Sequence, residues 1–323
     1  MYKVSILLPN YNNAAYLREC FDSIFNQTLQ DFKVIVIDDG STDNSQHILK
    51  ELALDKRVRL IIKDKNSGIV DTLNMGLHAL DTKYVIRHDG DDLMHPERLE
   101  KMVDFMESNP EIGICGSSIE CFGYYNEILT YPEDWRLNQA NLIFGHSLGH
   151  ASCIFRSEIF TEMGIRYAKE YPLMEDYDLF YRLKDKYKTT SIKEPLYLYR
   201  LTDAHDFDAI VKKKWDIYLK FYQRIMDDLG VENKEAAMIH LELSKNIPLT
   251  FDYEAYKDHV AQVKRRNYQM KLFESENLSQ ILDEKMTKIA TKLIDQGGLR
   301  KGQILSMPKL WRYALSNKIK GSK

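Results

Sequence analysis

Three carboxylates fall within four positions at Asp89-Gly90-Asp91-Asp92, directly after the apolar run YVIR. Carboxylates this close repel one another. A hard divalent cation, Mn²⁺ or Mg²⁺, relieves that repulsion and takes further oxygen ligands from substrate phosphates. The alternative is a solvated Asp-rich turn leading into a helix at Pro96. A second group, Asp38-Asp39-Gly40-Ser41-Thr42-Asp43, also follows an apolar run. There a carboxylate can accept from a nucleobase imide N–H, or the segment is a tight turn whose Asp43 caps a helix. A third pair, Glu175-Asp176, opens an apolar-periodic stretch. Acidic residues in a first turn complement the helix dipole. One of them can also serve as general base toward a hydroxyl nucleophile.

These groups need a frame, and the sequence supplies one. KVSILL, FKVIVID, VRLIIK, YVIRHD and IGICGSSI read as strands. Between them lie helical patterns over Ala15–Gln27, from Asp43 to Leu54, after Gly68, and from Pro96 to Ser108. Strands alternating with helices predict βαβ units and a mainly parallel α/β sheet. The polar loops all follow strand carboxyl ends, where ligands of open α/β sheets bind. Farther on, a hairpin is predicted near Phe122–Thr130, a short helix at Gln139–Phe144 and a strand at His150–Arg156. A helix at Met174–Tyr187 and a strand at Leu196–Leu201 follow. Beyond His205 the pattern is helical throughout. The expected division is residues 1–205 as a catalytic domain, with halves 1–120 and 121–205, and 206–323 as a helical region.

The chain has 323 residues, 44% of them hydrophobic and 29% charged, an ordinary globular balance. No stretch reaches the ~18 apolar residues of a membrane span. The opening MYKVSILLPNYNN has too short an apolar run for a signal peptide, so a cytoplasmic protein is expected. Four cysteines without CxxC spacing read as reduced thiols. The net charge of −3 points to no nucleic-acid partner. It is unevenly spread: Gly297–Lys323 holds seven basic and no acidic residues, leaving −10 on the rest. A mildly acidic body with a basic tail suits a visit to an anionic surface.

The stretches VSILLPNYN, CFDSIFNQT, VIVIDDGSTD, NSGIVDTLNMGL, YVIRHDGDDLMHPERL, MEDYDLFYRL and LYLYR together resemble the family 2 glycosyltransferases of GT-A fold. They extend from Val4 to Arg200. The chain is most similar to bacterial transferases that extend lipooligosaccharide or capsule chains, some of which add N-acetylhexosamine in β1,3 linkage. The resemblance implies an α/β GT-A sheet sandwich with a helical C-terminal extension, and an inverting transfer from a UDP-sugar (N-acetylhexosamine, galactose or glucose) to a glycan hydroxyl. By the resemblance, Pro9, Tyr11 and Asn12 surround a uracil ring, Tyr11 stacking on it, and Asp38 accepts from its imide. Asp89 and Asp91 match the DxD motif, Asp89 near the ribose and Asp91 on the metal, with Asp92 orienting them. Asp176 matches the base.

Asn66 and Gly68 would shape the nucleotide pocket, Gly90 belongs to the DxD turn, and Arg87 would pair with its carboxylates. His88, on the opposite strand face, reads as structural. His150 could contact the acceptor. Relatives carry a His two residues after the YR pair; here Thr202 takes that place, and His205 is left as a late metal ligand or an exposed loop residue.

In the C-terminal third, Lys212–Met226 would present Trp215, Tyr218, Leu219 and Tyr222 on one face. Leu305–Lys320 sets Leu310, Trp311, Leu315 and Ile319 against basic residues. Such a helix can lie in a membrane interface beside a lipid-linked acceptor, dock on its own domain, or meet a second copy in a homo-oligomer. Two rivals remain at this level. A catalytically silent nucleotide-sugar-binding subunit would keep the pocket without turnover. A nucleotidyltransferase would need a Gly-rich basic loop, which PNYNNAAYL is not.

Overall fold

The computed structural model describes residues 2–146, 148–202, 214–245 and 247–295. The chain divides into two compact units, residues 1–142 with 146–212, and residues 143–145 with 213–323. His205 and the basic segment after Gly297, including the expected Leu305–Lys320 helix, lie outside the described residues.

In the first unit, β1 (Val4–Asn10), β2 (Phe32–Asp38), β3 (Val58–Ile62) and β4 (Tyr84–Arg87) pair in parallel. Helices α1 (Leu17–Phe25), α2 (Ser45–Leu52) and α3 (Ile69–Leu77) connect them. β1 and β2 are buried along their whole length, as parallel strands covered on both faces must be. Next come β5 (Leu93–Met94), α4 (Arg98–Ser108), β6 (Ile112–Gly123), β7 (Glu127–Leu129) and α5 (Trp135–Asn141). After them follow β8 (Ile154–Arg156), α6 (Glu158–Thr161), α7 (Glu175–Leu183) and β9 (Lys188–Leu201). The sheet order is β3-β2-β1-β4-β8-β6-β9-β5, with β7 on the edge of β6. β8 runs antiparallel to both β4 and β6, so the parallel half gives way to a mixed half there.

β1 lies between β2 and β4, and the direction of winding reverses at that point. Loops leaving such a switch point part to either side and open a crevice at the strand carboxyl ends. Helix α3 closes tightly under it. A Cβ at Gly76 would overlap the side chains of Leu7 and Ile37, so glycine lets the helix approach β1 and β2 this closely without displacing them.

Some boundaries differ from expectation. His150–Ser152 is a 3-10 turn, and only Ile154–Arg156 is strand, because Ser152 Oγ and Cys153 N bond back to Gly149 O and His150 O. The short helix predicted at Gln139–Phe144 is Trp135–Asn141, started by Asp134 accepting from Arg136 N at 2.9 Å. All four cysteines (Cys20, Cys115, Cys121, Cys153) are free and buried, and burial pushes each thiol pKa up.

The second unit holds helices Trp215–Leu229, Ala236–Ser244, Tyr253–Met270 and Ser275–Asp295. The first of these buries Phe221, Tyr222, Ile225, Met226 and Leu229. The expected stripe of Trp215, Tyr218 and Leu219 is only half-buried. At 3.6 residues per turn two overlapping stripes compete, and packing selects the more C-terminal one. His240 is stacked on Phe144 at 4.5 Å and bonded to Ile143 O at 2.8 Å and to His259 at 3.2 Å. Among the described residues no helix is long and apolar enough to cross a membrane.

Gly76→Val should destabilise the first unit by about 1–3 kcal/mol through overpacking against the sheet, read from urea unfolding. An unchanged midpoint would mean that α3 can move away from the strands.

Candidate active site

The crevice is a cleft of about 420 Å³ lined by Pro9, Asn10, Tyr11, Asn13, Asp39, Asn66, Gly68, Ile69, Thr72, Asp89, Asp91 and Tyr199. Tyr11 stands on its rim with 45% of its surface exposed, so its ring face is open to a planar ligand. Asn12 does not line the cleft. Its backbone is left-handed, and its Oδ1 accepts from Thr42 N at 2.8 Å, tying the loop after β1 to the loop after β2.

The two aspartates after β2 divide differently from the sequence reading. Asp38, assigned there to the imide, is fully buried and accepts from Asn10 Nδ2 at 2.8 Å and from Ser41 N and Oγ at 2.9 and 2.5 Å. It shapes the turn and is absent from the cleft wall. Asp39 lines the cleft and is fixed by Ser67 N and Gly68 N, both at 2.9 Å, and by an ion pair with Lys63. These bonds leave its carboxylate one lone-pair direction.

At the end of β4, Arg87 is buried and paired with Asp89. Burial opposes its charge, yet Asp89 holds the guanidinium pKa above its ordinary value. Gly90 lets the turn fold against β1, since a Cβ there would stand 3.1 Å from Asn10 Oδ1 and 3.2 Å from Asn13 Nδ2. Asp91 faces the cleft. Asp92 turns inward, bonded by Tyr197 Oη and by Arg200 N at 2.7 Å. Burial, and then the charges of Asp89 and Asp91, push its pKa up to about 8. Arg200 bonds Asp91 O at 2.8 Å and Glu19 at 2.7 Å. His88 is buried, bonded to Arg98 at 3.2 Å and edge-on to Tyr197. Burial, then Arg98 and Arg87, hold it neutral, its pKa well below the ordinary value.

Asp176 lies in the first turn of α7, its Oδ1 accepting from Tyr177 N at 2.8 Å. The segment before α7 is fixed to α3 by Asn74, which bonds both N and O of Tyr167 at 2.9 Å. Tyr167 Oη is 2.8 Å from His150 Nε2. Burial, then Arg87, lower the His150 pKa to about 4, against opposing charges on Asp176 and Asp89. His150 therefore lies within electrostatic reach of both Asp176 and the DxD turn. His146 Nε2 lies 3.5 Å from Asp176 Oδ2. Nothing in the local sequence marks His146, whereas Asp39 and Tyr199 stand inside motifs already noticed.

No set of three His, Cys, Asp or Glu among the described residues forms a ready metal cage. The donors nonetheless fit Mn²⁺ or Mg²⁺. Such ions keep waters and need only one or two carboxylates beside substrate phosphates, and Asp91 with Asp89 supplies them. Burial is the main cause of the rise at Asp92, and the charges of Asp89 and Asp91 add to it, as neighbouring carboxylates do.

Residues 5–160 match glycosyl transferase family 2. An uncharacterized glycosyltransferase of Methanocaldococcus jannaschii is 30% identical over 65% of this chain and 75% of its own length. The chain belongs to glycosyltransferase family 2. The glycosyltransferase GlyG of Streptococcus pneumoniae is 25% identical over 84% of this chain and 95% of its own length. Among solved structures, Staphylococcus aureus TarS 1–349 in complex with UDP-GlcNAc is similar with a TM-score of 0.59, 15% identity and 93% coverage of both chains. A Pyrobaculum calidifontis mannosyltransferase in complex with GDP-Man and Mn²⁺ gives 0.51 and 15%, covering 98% of this chain and 85% of that one. The fold of this family 2 enzyme is GT-A, a mixed α/β sheet followed by C-terminal helices.

An acid with a folded pKa raised to about 8 contributes most to stability below its unfolded value, and loses that contribution as pH rises through about 8. In chelator, Asp92→Asn should therefore gain stability relative to the native chain as pH rises from about 5 to about 9, followed by urea unfolding. A constant difference would mean that Asp92 is ionised throughout.

Proposed function

We propose that this family 2 enzyme transfers a sugar from a UDP-sugar to a hydroxyl of a cell-surface glycan, with inversion and with Asp176 as base. The observation that supports the reading is the cleft at the strand carboxyl ends, lined by Asp89 and Asp91 together with Tyr11 and Asp39, while Asp176 opens helix α7 with His146 beside it. Tyr11 would stack on the uracil, and Asp39, in place of Asp38, would accept from its imide. Pro9 and Asn66 would border the ring. Asp91, with Asp89, would hold Mn²⁺ or Mg²⁺, whose charge stabilises a leaving diphosphate. Asp89 would also position the ribose, its charge already partly balanced by Arg87.

Asp176 would take the acceptor proton as the hydroxyl oxygen bonds to the anomeric carbon and the bond to the diphosphate oxygen breaks. His146 beside Asp176 would help aim the carboxylate. UDP-GlcNAc bound to TarS, a protein of similar fold, favours an N-acetylhexosamine among the donors to test. The basic segment Gly297–Lys323 would hold the enzyme at an anionic surface near its acceptor.

Asp176→Asn should lower kcat by at least about 10²-fold, the span of general-base contributions, with the KM for the donor little changed. Asp39→Asn should instead raise the donor KM. Both are measured with a panel of UDP-sugars by donor hydrolysis and acceptor transfer. Full turnover in Asp176→Asn would remove the base assignment. Tight UDP binding without turnover on any donor would favour a silent binding subunit.

A further inference from the structure

The helical unit contains a second cavity, of about 610 Å³, between the end of helix Ala236–Ser244 and helix Ser275–Asp295. Four lysines line it: Lys245, Lys285, Lys288 and Lys292. Among the described residues, no carboxylate comes within ion-pair distance of Lys245, Lys285 or Lys288. Of the two carboxylates on the wall, Glu242 already accepts from Thr250 N at 3.0 Å, from Thr250 Oγ1 and from Tyr256 Oη. Asp295, the second, stands on the same wall one helical turn beyond Lys292.

Two of the ammoniums have a structural task. Lys285 donates to Ser244 O at 3.2 Å and Lys292 to Ile247 O, which satisfies carbonyls at and after a helix end. An ammonium has three donors, so this bond leaves Lys285 others to spare. Lys245 has its ammonium over the Tyr218 ring at 4.2 Å, a contact that favours the charged form. Burial, then the charges of Lys285 and Lys214, push its pKa down to about 8. Burial, then Lys288, lower that of Lys285. Four lysines against two carboxylates leave the wall with an excess of positive charge, which an entering anion would relieve.

We infer that this lysine-lined cavity is an anion site, separate from the nucleotide cleft, that takes the phosphate or diphosphate group of a ligand. Compact ammonium groups suit phosphate as point charges. The cavity is larger than one phosphate, which leaves room for the sugar or polyol that carries it.

The test uses the full chain in chelator, with inorganic diphosphate titrated by calorimetry. Lys245→Met keeps the aliphatic stem and removes the charge, and Lys288→Gln changes an exposed side chain. Saturable binding is expected in the native chain, weakened about tenfold in Lys245→Met, the size of one charge-assisted hydrogen bond. Lys288→Arg should retain it. Without diphosphate, Lys288→Gln should melt no lower than the native chain, because repulsion is relieved. A parallel arm measures sedimentation with phosphatidylglycerol vesicles. Vesicle binding that depends on Lys245 assigns the phosphate to a lipid headgroup, and diphosphate binding without it assigns a soluble or glycan-borne phosphate. Binding equal in the native chain and both neutral variants, or no saturable binding in either arm, would overturn the inference.

Discussion

The buried carboxylate of Asp92 is the tie on which the site's geometry rests. It joins the turn after β4 to the end of β9 through Tyr197 and the amide of Arg200. Those two segments are more than a hundred residues apart in sequence. The tie is costly, because Asp89 and Asp91 stand beside it and burial disfavours its charge. What it secures is direction. With Asp92 drawn inward, Asp91 is left facing the cleft, and Arg200 reaches back to the Asp91 carbonyl.

The same economy of roles recurs after β2. One aspartate builds the turn and its neighbour presents a carboxylate to the cleft. Arg87 and Lys63 each meet one cleft carboxylate from behind. The remaining negative charge is directed toward the open side, where a cation and a diphosphate would balance each other. In the proposed reaction such an arrangement would stabilise a leaving anion without reorganising at the moment of transfer.

Much of this was legible in the sequence, and the reason is local. The βαβ rhythm depends on apolar runs and turn residues, both of which are short-range signals. The acidic clusters followed strand ends, so the edge of the sheet that holds the cleft could be read directly. The choice between Asp38 and Asp39 could not. β2 is buried on both faces, so no alternation of polar and apolar residues reports which way its last side chain points. His146 was invisible for a different reason: its relation to Asp176 is tertiary and carries no spacing rule. The 3-10 turn at His150 was masked because HASCIFR is apolar enough for a strand, while the bonds back to Gly149 and His150 override that propensity.

The shielding of all four thiols has a practical chemical side. Thiolate is the species that oxidants and alkylating agents attack, and here the sulfur atoms are both out of reach and kept protonated. Thiol oxidation of the folded enzyme is therefore disfavoured. A cysteine introduced at the cleft rim would be an exposed thiol against four buried ones, which makes the native chain a ready background for attaching a spectroscopic label.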